Sequence, residues 1–222
     1  MPADTKERIL NVAERLFADR GFPATSLRDL TSEASVNIAS VNYHFGSKEA
    51  LLAAVLERRL RPVNARRLEL LDAIESAAGN GAPNAEDVIR AFLSPPFQKR
   101  QEWGAAGDNF LRLLGRIHSE TNEEFRATFF QQFEGVFRRF GQALQRALPH
   151  LDATDVGWRM LFLVGSMAFT MAWGDSFASI GPGANKDPDD MLESLIQYAA
   201  AGMASPVPIG VPVGLAQKGR TS

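Results

Sequence analysis

The chain contains no cysteine among its 222 residues. Disulfide bonds and thiolate metal sites are therefore excluded, and a cytoplasmic location is permitted. Alternating β-branched stretches, the mark of strands, are confined to the last dozen residues. Residues 1–10 carry charges of both signs without an apolar core, unlike a secretory signal peptide. These absences predict an all-α protein that stays in the cytoplasm.

Long apolar runs and catalytic motifs are scarce as well. The longest apolar run, Met160 to Gly174, falls short of the roughly 20 residues that a bilayer span needs, so we interpret it as a buried helix. No G-x-S-x-G or H-E-x-x-H pattern is present, and the glycine-rich segments 79–84 and 181–187 lack phosphate-loop spacing. We expect no catalytic residues, no metal site, no cofactor and no membrane partner.

The most informative segment is residues 25–48, TSLRDLTSEASVNIASVNYHFGSK. It has the pattern of two short helices joined by a tight turn and followed by a capped helix, as in helix-turn-helix proteins. The side chains expected to point inward are Leu27, Leu30, Val36, Val41 and Phe45. Those expected to point outward from the second helix are Asn37, Ile38, Ala39, Ser40, Asn42 and Tyr43. That surface is small enough to enter a major groove and polar enough to read base edges.

The charge distribution agrees with a nucleic-acid partner, although the formal net charge is only −2. Residues 1–67 hold 11 basic and 8 acidic side chains, a net of +3, whereas residues 68–222 hold 13 and 18, a net of −5. The basic part coincides with the helix-turn-helix pattern. A positive surface near phosphates is what counterion release requires.

Helical periodicity predicts about nine helices. We expect Thr25 to cap the second helix and Ser47 the fourth, which Pro62 interrupts or kinks. Beyond it, helices are predicted near residues 65–78, 84–93, 104–118, 122–147, 153–178 and 188–204, with Ser94-Pro95-Pro96 ending the second of these. This predicts a DNA-binding domain over residues 1–61, a larger helical domain over 62–204, and a disordered Pro/Gly-rich tail over 205–222.

A set of ordered motifs resembles the TetR family of bacterial transcriptional regulators. The matching segments are Arg20-Gly21-Phe22, Thr25 to Leu30, Ala34-Ser35-Val36, Tyr43-His44-Phe45 and Ser47 to Leu52. Ser35 replaces the usual turn glycine, and Ile38 stands where many members carry lysine. The resemblance implies a three-helix DNA-binding domain, a helical ligand-binding domain, and a homodimer that binds a near-palindromic operator in double-stranded DNA.

The resemblance also implies roles for individual residues of the helix-turn-helix. Phosphate contacts would come from Thr25 or Ser26, Tyr43 and Lys48, and base-edge contacts from Asn37, Ser40 and Asn42. Ile38 and Ala39 are placed to touch a thymine methyl group. Arg28 and His44 complete the predicted DNA-binding set. The alternative is that Tyr43 merely packs and that the asparagines are helix caps.

The C-terminal half is rich in aromatic side chains that either line a ligand cavity or form ordinary core. The candidate lining residues are Phe110, Arg112, Leu114, Phe129, Phe133, Phe137, Trp158 and Phe162. Arg112 lies between apolar neighbours, so a buried guanidinium there would need an anionic partner. That partner is a lipid head group or, as the favoured interpretation, the carboxylate of Asp108 or Glu134.

Small residues within the long apolar helix point to a close helix contact. Gly165, Ala168 and Ala172 form this line, which we interpret as a subunit interface; an intrachain core contact is the alternative. A looser resemblance to the PsrA-like branch implies a fatty-acid effector. The predicted function is a ligand-responsive repressor released by a hydrophobic small molecule, a long-chain fatty acid or acyl-CoA. The competing prediction is a helical enzyme or lipid-binding protein without DNA regulation.

Overall fold

The computed structural model describes residues 2–119, 131–177 and 187–207. These ranges contain nine helices and no strand, which confirms the all-α prediction. The helices are α1 (Pro2–Arg20), α2 (Leu27–Glu33), α3 (Ile38–Phe45), α4 (Lys48–Ala78), α5 (Ala85–Trp103), α6 (Ala105–Ser119), α7 (Glu134–Ala147), α8 (Ala153–Phe177) and α9 (Pro188–Ala204). The first part of the helix predicted over 122–147, and the predicted tail from residue 208 onward, lie outside the described residues.

An N-terminal core packs α1 to α3 against the first half of α4 and against α6. Its apolar members repeat at helical spacing, which is why α1 and α4 each bury one face. The buried side chains include Ile9, Leu10, Ala13, Leu16, Phe17, Leu30, Val41, Leu51, Leu52, Val55, Leu56, Leu60, Phe110 and Leu113. The inward residues predicted for the helix-turn-helix all belong to this core or pack against it.

Helix α4 continues from Lys48 to Ala78 without interruption at Pro62. A proline inside a helix costs about 3 kcal/mol, but each buried leucine or valine gains about 1.5–3 kcal/mol. Leu60 and Val63 on either side of Pro62, and Leu71 further on, are all buried, so packing outweighs the lost hydrogen bond. The two cores still divide near Pro62, because Leu60 joins the N-terminal core and Leu71 the second one.

Helix α5 likewise passes through Pro95 and Pro96 and ends only at Trp103, so the predicted stop at residues 94–96 is wrong. Ala91, Phe92 and Leu93, just before the prolines, are buried. The helix ends at Gly104, whose φ of 53° lets the chain reverse directly into α6.

A second core joins the remaining part of α4 to α5, α7, α8 and α9. Its buried members include Leu71, Val88, Ile89, Phe92, Phe97, Val136, Phe140, Leu144, Met160, Leu163, Leu195 and Ile196. At one end of this core Arg159 donates to the carbonyls of Met203 (2.7 Å) and Ser205 (2.6 Å), which ties α8 to the end of α9. Arginine therefore satisfies carbonyls that the helix leaves without partners.

Helix α8 differs from the expected buried helix. Over Ala153–Trp173, a stretch that begins before the predicted apolar run, it is long and apolar enough to cross a membrane by length and composition alone. One such helix is weak evidence for a membrane protein, because core helices of soluble proteins pass the same test. Only about a fifth of that stretch is buried, so most of this apolar helix is not covered by the part of the chain that the structure describes.

Candidate functional site

The start of α2 is fixed by a capping box. The Ser26 hydroxyl accepts from the Asp29 backbone N–H (3.1 Å), and the Asp29 carboxylate accepts from the Ser26 backbone N–H (3.0 Å). The Ser26 hydroxyl also donates to the Asp29 carboxylate at 2.6 Å, and this bond, followed by the one from the Ser26 backbone N–H, holds the pKa of Asp29 below its usual value. The cap is therefore Ser26 and not Thr25. Thr25 is fully buried and its hydroxyl donates to the Gly21 carbonyl (2.8 Å), so the prediction that it holds a phosphate is wrong.

The turn between α2 and α3 is a Schellman motif built on a serine. Ser35 has φ 51°, and the Val36 N–H donates to the Thr31 carbonyl at 3.0 Å. The left-handed conformation costs a residue with a side chain about 1–2 kcal/mol, which explains why glycine is usual at this position. The replacement noted in the sequence therefore leaves strain at the turn and keeps its geometry.

Helix α3 presents the predicted outward surface. Asn37 is its N-cap, and the Asn37 side-chain oxygen accepts from the Ser40 backbone N–H at 2.8 Å. Tyr43 is 85% exposed, so it does not merely pack. The side chains of Asn37, Ile38, Ala39 and Asn42 are also exposed, while that of Ser40 is half-buried and donates to Asn37. Because its oxygen is already used, Asn37 can offer a base only its amide nitrogen.

Aromatic and basic side chains gather where α3 ends and α4 begins. Tyr43 and His44 contact edge to face, with ring centroids 5.1 Å apart. Lys48, which follows the Ser47 cap of α4, lies with its ammonium 4.3 Å from the centre of the Phe22 ring. Lys6 of α1 lies 5.9 Å from the Phe45 ring. Lys6 was missed by sequence reasoning, because nothing in the first ten residues indicates that the start of α1 lies beside Phe45 of α3.

Arg28 and Ser26 are exposed near the start of α2. The surface formed by Ser26, Arg28, Ile38, Asn42, Tyr43 and Lys48, together with the other exposed residues of α3, is called the reading face below. It combines hydroxyl, amide, apolar and cationic groups within one compact unit. Such a combination suits phosphate anchoring and base-edge contact at once.

The structure corrects several of the predicted ligand-binding residues. Arg112 is exposed rather than buried; its side chain bonds the Asn109 amide oxygen and lies 3.4 Å from the Asp19 carboxylate, so neither Asp108 nor Glu134 is its partner. Phe110 and Leu114 pack in or against the N-terminal core instead of lining a cavity in the C-terminal half. Phe129 lies outside the described residues.

Trp158 and Phe162 face outward, so the prediction that they line a cavity is wrong. They are 58% and 63% exposed, and their rings lie 6.2 Å apart. With Leu161, Gly165, Phe169, Ala172 and Trp173 of α8 and Tyr198 of α9 they form the exposed apolar face. Gly165 and Ala172 of the small-residue line are exposed there, and Ala168 is half-buried. An apolar face this extensive marks an interaction surface.

Two predicted lining residues do lie where the two cores meet. Phe133 packs against the N-terminal core and Phe137 against the second one, with their rings 6.1 Å apart. The Phe137 ring in turn lies 6.1 Å from that of Phe92. Beside Phe92 is Arg67, a fully buried arginine that sequence reasoning missed. Its signal was the spacing of Leu60, Asn64, Arg67 and Leu71, which puts it on the buried stripe of α4.

Two family models match the chain. The model described as "Bacterial regulatory proteins, tetR family" matches residues 9–55, and the one described as "Tetracyclin repressor-like, C-terminal domain" matches residues 90–202, just over half of the chain. The HTH-type transcriptional repressor NemR of Escherichia coli (strain K12) is 29% identical over 154 residues, which cover 69% of this chain and 74% of that protein.

Solved structures share the fold at low sequence identity. The fatty acid degradation regulator FadR from Bacillus halodurans has a TM-score of 0.64 at 15% identity, over 89% of this chain and 95% of that one. AibR, solved in complex with isovaleryl coenzyme A and operator DNA, has a TM-score of 0.60 at 17% identity, over 87% and 97%. The finer resemblance to the PsrA-like branch is not confirmed by these matches.

Proposed function

The chain belongs to the TetR family of DNA-binding transcriptional regulators, and on that premise we propose that it is a homodimeric repressor. It would bind a near-palindromic operator in the cytoplasm and release it when a hydrophobic small molecule, a long-chain fatty acid or acyl-CoA, occupies the C-terminal domain. The observation that carries the DNA-binding part is the reading face, where Tyr43 is exposed above a fully buried Val41.

The proposed contacts divide into positioning and reading groups. Ser26, Tyr43 and Lys48 supply hydroxyl and ammonium donors for phosphate oxygens, with Arg28 and His44 as further donors. Asn42 is exposed and, unlike Asn37, does not use its side-chain oxygen to cap α3, so it is the strongest candidate for bidentate pairing with adenine. Ile38 and Ala39 offer apolar contact to thymine methyl groups, and Asn37 and Ser40 contact base edges at the start of the helix.

The homodimer is supported by the exposed apolar face of α8 and α9. Four large side chains on α8, those of Trp158, Phe162, Phe169 and Trp173, are each more than half exposed, and Tyr198 of α9 is 71% exposed. Two copies of this face brought together by a twofold axis would bury it. The same axis would present two reading faces to two half-sites of DNA.

The proposed effector class rests on the apolar second core and on the names of two structural relatives. FadR is named for fatty acid degradation and AibR was solved with an acyl-coenzyme A. Their identity to this chain is below 20%, so they show a shared fold, and their names indicate only a class of effector to test. The aromatic row of Phe92, Phe133 and Phe137 supplies an apolar environment of the kind that an acyl chain needs.

DNA selection followed by gel shifts tests the regulator. Operator fragments selected from random oligonucleotides should show a twofold-symmetric pattern. Tyr43→Ala and Lys48→Ala should weaken binding to all sequences, and Lys48→Ala should also reduce the salt dependence by about one counterion. Asn42→Ala should change the sequence preference instead. Lys99→Ala, which removes a lysine from α5 that pairs with Glu102, is the matched control.

Two outcomes would count against this assignment. A wild-type protein without preference among random oligonucleotides would refute operator recognition. Unchanged affinity in all three reading-face variants would refute the proposed contacts. The effector part is tested separately by adding long-chain acids and acyl thioesters to the protein–operator complex, where an unaltered operator affinity with every compound would remove the lipid assignment.

A further inference from the structure

The second half of α4 contains a buried cation, Arg67, that has no paired anion among the described residues. Arg67 is 1% exposed, and none of the ion pairs found within residues 2–119, 131–177 and 187–207 involves it. Burial lowers the pKa of Arg67 to about 9. An arginine kept in an apolar interior needs paired charges or several hydrogen bonds, because an isolated buried charge is costly.

One edge of the guanidinium is held by the backbone. The Arg67 Nε–H donates to the Phe92 carbonyl at 2.8 Å. That carbonyl is free because Pro96, four residues later in α5, has no N–H to donate. The Phe92 ring lies under the guanidinium, with the Arg67 Cζ 4.1 Å from its centre. The proline that was expected to end α5 therefore creates the acceptor that orients Arg67.

The other edge has weak partners. Arg67 Nη1 donates to the Asn64 side-chain oxygen at 3.0 Å, and Nη2 contacts the Met167 sulfur at 3.5 Å. A thioether is a poor acceptor, and an arginine has five N–H donors, of which these contacts use three. Asn64 is itself oriented by donating to the Gln132 carbonyl at 2.9 Å. The two terminal nitrogens of Arg67, its outer fork, are therefore held in position but have fewer acceptors than N–H groups, and the flexible Met167 side chain contacts one of them.

We propose that Arg67, with Asn64 beside it, binds the carboxylate of an amphiphilic acid whose apolar chain lies along the Phe92, Phe133 and Phe137 row. A carboxylate fits the planar fork of arginine through two parallel N–H···O bonds. To reach it, the acid would displace the Met167 sulfur from Nη2. The inference rests on the proposed function and narrows its effector to a free acid, since an ester or thioester has no carboxylate at the end of its acyl chain for the fork.

The position of Arg67 also connects the ligand to the DNA-binding domain. Arg67 and Lys48 lie on the same helix, 19 residues and therefore about 28 Å apart. Met167, which the acid would displace, is on α8, the helix that carries most of the exposed apolar face. An acid at Arg67 would therefore contact both the helix that leads to the reading face and the helix that faces the second subunit.

The test compares acids with their methyl esters on the full chain. Octanoate, decanoate and hexadecanoate, each below its micelle concentration, are paired with methyl esters of equal chain length. Binding is measured by thermal shift and by titration without DNA. Arg67→Met removes the charge and keeps an unbranched apolar side chain. Arg66→Met is the matched control, because Arg66 is the adjacent arginine on α4, is half exposed and pairs with Glu69.

We expect at least one acid to raise the melting temperature of the wild type and of Arg66→Met, with its ester much weaker. Arg67→Met should lose about 10- to 100-fold in affinity for the acid, the loss expected for hydrogen bonds to a charged group. Without ligand its melting temperature should equal or exceed that of the wild type, because a buried unpaired charge has been removed. Equal binding of acid and ester, wild-type affinity in Arg67→Met, or no binding of any acid would overturn the inference.

A second variant covers the case in which Arg67→Met does not fold. Arg67→Lys keeps the charge but loses the planar fork, so it should bind the acid several-fold more weakly and still prefer the acid to the ester. Unchanged affinity in this variant would overturn the role of the fork. Operator binding is measured separately in the absence of any acid. A protein that binds the acid through Arg67 but binds no operator would refute the proposed regulator and not this site.

Discussion

Replacing Glu14 by glutamine should destabilise the DNA-binding domain strongly. The Glu14 carboxylate is 3% exposed and accepts two bonds from Arg59, Nε at 2.9 Å and Nη2 at 2.8 Å, and one from Arg58 Nη2 at 2.6 Å. This cluster joins α1 to α4 three residues before Pro62. Glutamine keeps the shape but removes the charge and one acceptor, which leaves two guanidinium groups competing for a single amide oxygen.

The magnitude follows from the burial of the partners. Removing one member of a buried ion pair costs about 3–5 kcal/mol when the other charge is left fully buried. Here the arginine side chains remain 19% and 13% exposed, and Arg58 keeps Glu7 (3.1 Å) while Arg59 keeps the face of Trp103. We therefore expect Glu14→Gln to lower the free energy of unfolding by about 2–3 kcal/mol, somewhat less than that range.

Urea denaturation followed by far-UV circular dichroism measures this loss. The matched control is Glu7→Gln, which removes a carboxylate that is 60% exposed and contacts the same Arg58. An exposed pair is worth at most about 1 kcal/mol, so the control should stay near the wild type. If both variants lost the same stability, the Glu14 cluster would be an ordinary surface ion pair and the reasoning from burial would be wrong.

Three further perturbations test other parts of the structure. Ser35→Gly should raise the free energy of unfolding by about 0.5–1 kcal/mol, because glycine relieves the left-handed strain but costs more chain entropy; a lower melting temperature would contradict it. Hydrogen bonds from Arg146 and then Arg139 hold the pKa of Glu75 below 4.5. The stabilisation by ionised Glu75 is therefore present above pH 4.5 and is lost as the pH falls through the folded-state pKa. In Glu75→Gln the free energy of unfolding should decrease less as the pH is lowered, and an unchanged pH dependence would refute this role of Glu75. Phe162→Glu puts a charge on the exposed apolar face, so analytical ultracentrifugation should show more monomer and gel shifts weaker operator binding; a wild-type dimer would exclude this face as the interface.

The short helices of the DNA-binding domain could be predicted because their signals are local. Capping residues, a turn and inward apolar positions lie within a few residues of one another, as in Ser26 with Asp29 and Asn37 with Ser40. The error there was one residue, since both Thr25 and Ser26 have a hydroxyl that can cap. Two observations separate them: Ser26 forms the capping box with Asp29, whereas the buried Thr25 hydroxyl donates to the Gly21 carbonyl.

Prolines were misinterpreted because local propensity competes with burial that the sequence does not display. Pro95 and Pro96 were predicted to end a helix, and Pro62 was predicted to interrupt or kink one, yet α4 and α5 continue through them. The penalty is local and about 3 kcal/mol, whereas the compensation comes from helices distant in sequence. A proline inside a long buried helix can therefore be mistaken for a helix end when only the sequence is considered.

Apolar periodicity also could not say which surface an aromatic side chain would cover. Trp158 and Phe162 recur at the helical spacing that core residues also show, but their side chains are more than half exposed. The same limit applies to Arg112 and Arg67. The apolar residues next to Arg112 in the sequence suggested that Arg112 is buried. On a helix, however, the residues three and four positions away share a face, and for Arg67 these include Asn64 and Leu71.

The arrangement of α4 determines what an effector must do. A ligand shifts an equilibrium between two conformations only by the difference in its affinity for them, so it must contact something that differs between the DNA-bound and released forms. Before Pro62, α4 is fixed to α1 by the Glu14 cluster and shares the N-terminal core, so this half moves with the reading face as one body. After Pro62 it belongs to the second core, where Arg67 is its fully buried charged residue. The missing N–H of Pro62 makes the junction the most easily bent point of the helix. In the proposed dimer, a ligand that repositions Arg67 would therefore change the angle of the reading face, and the twofold axis would double the effect on the spacing between the two half-sites.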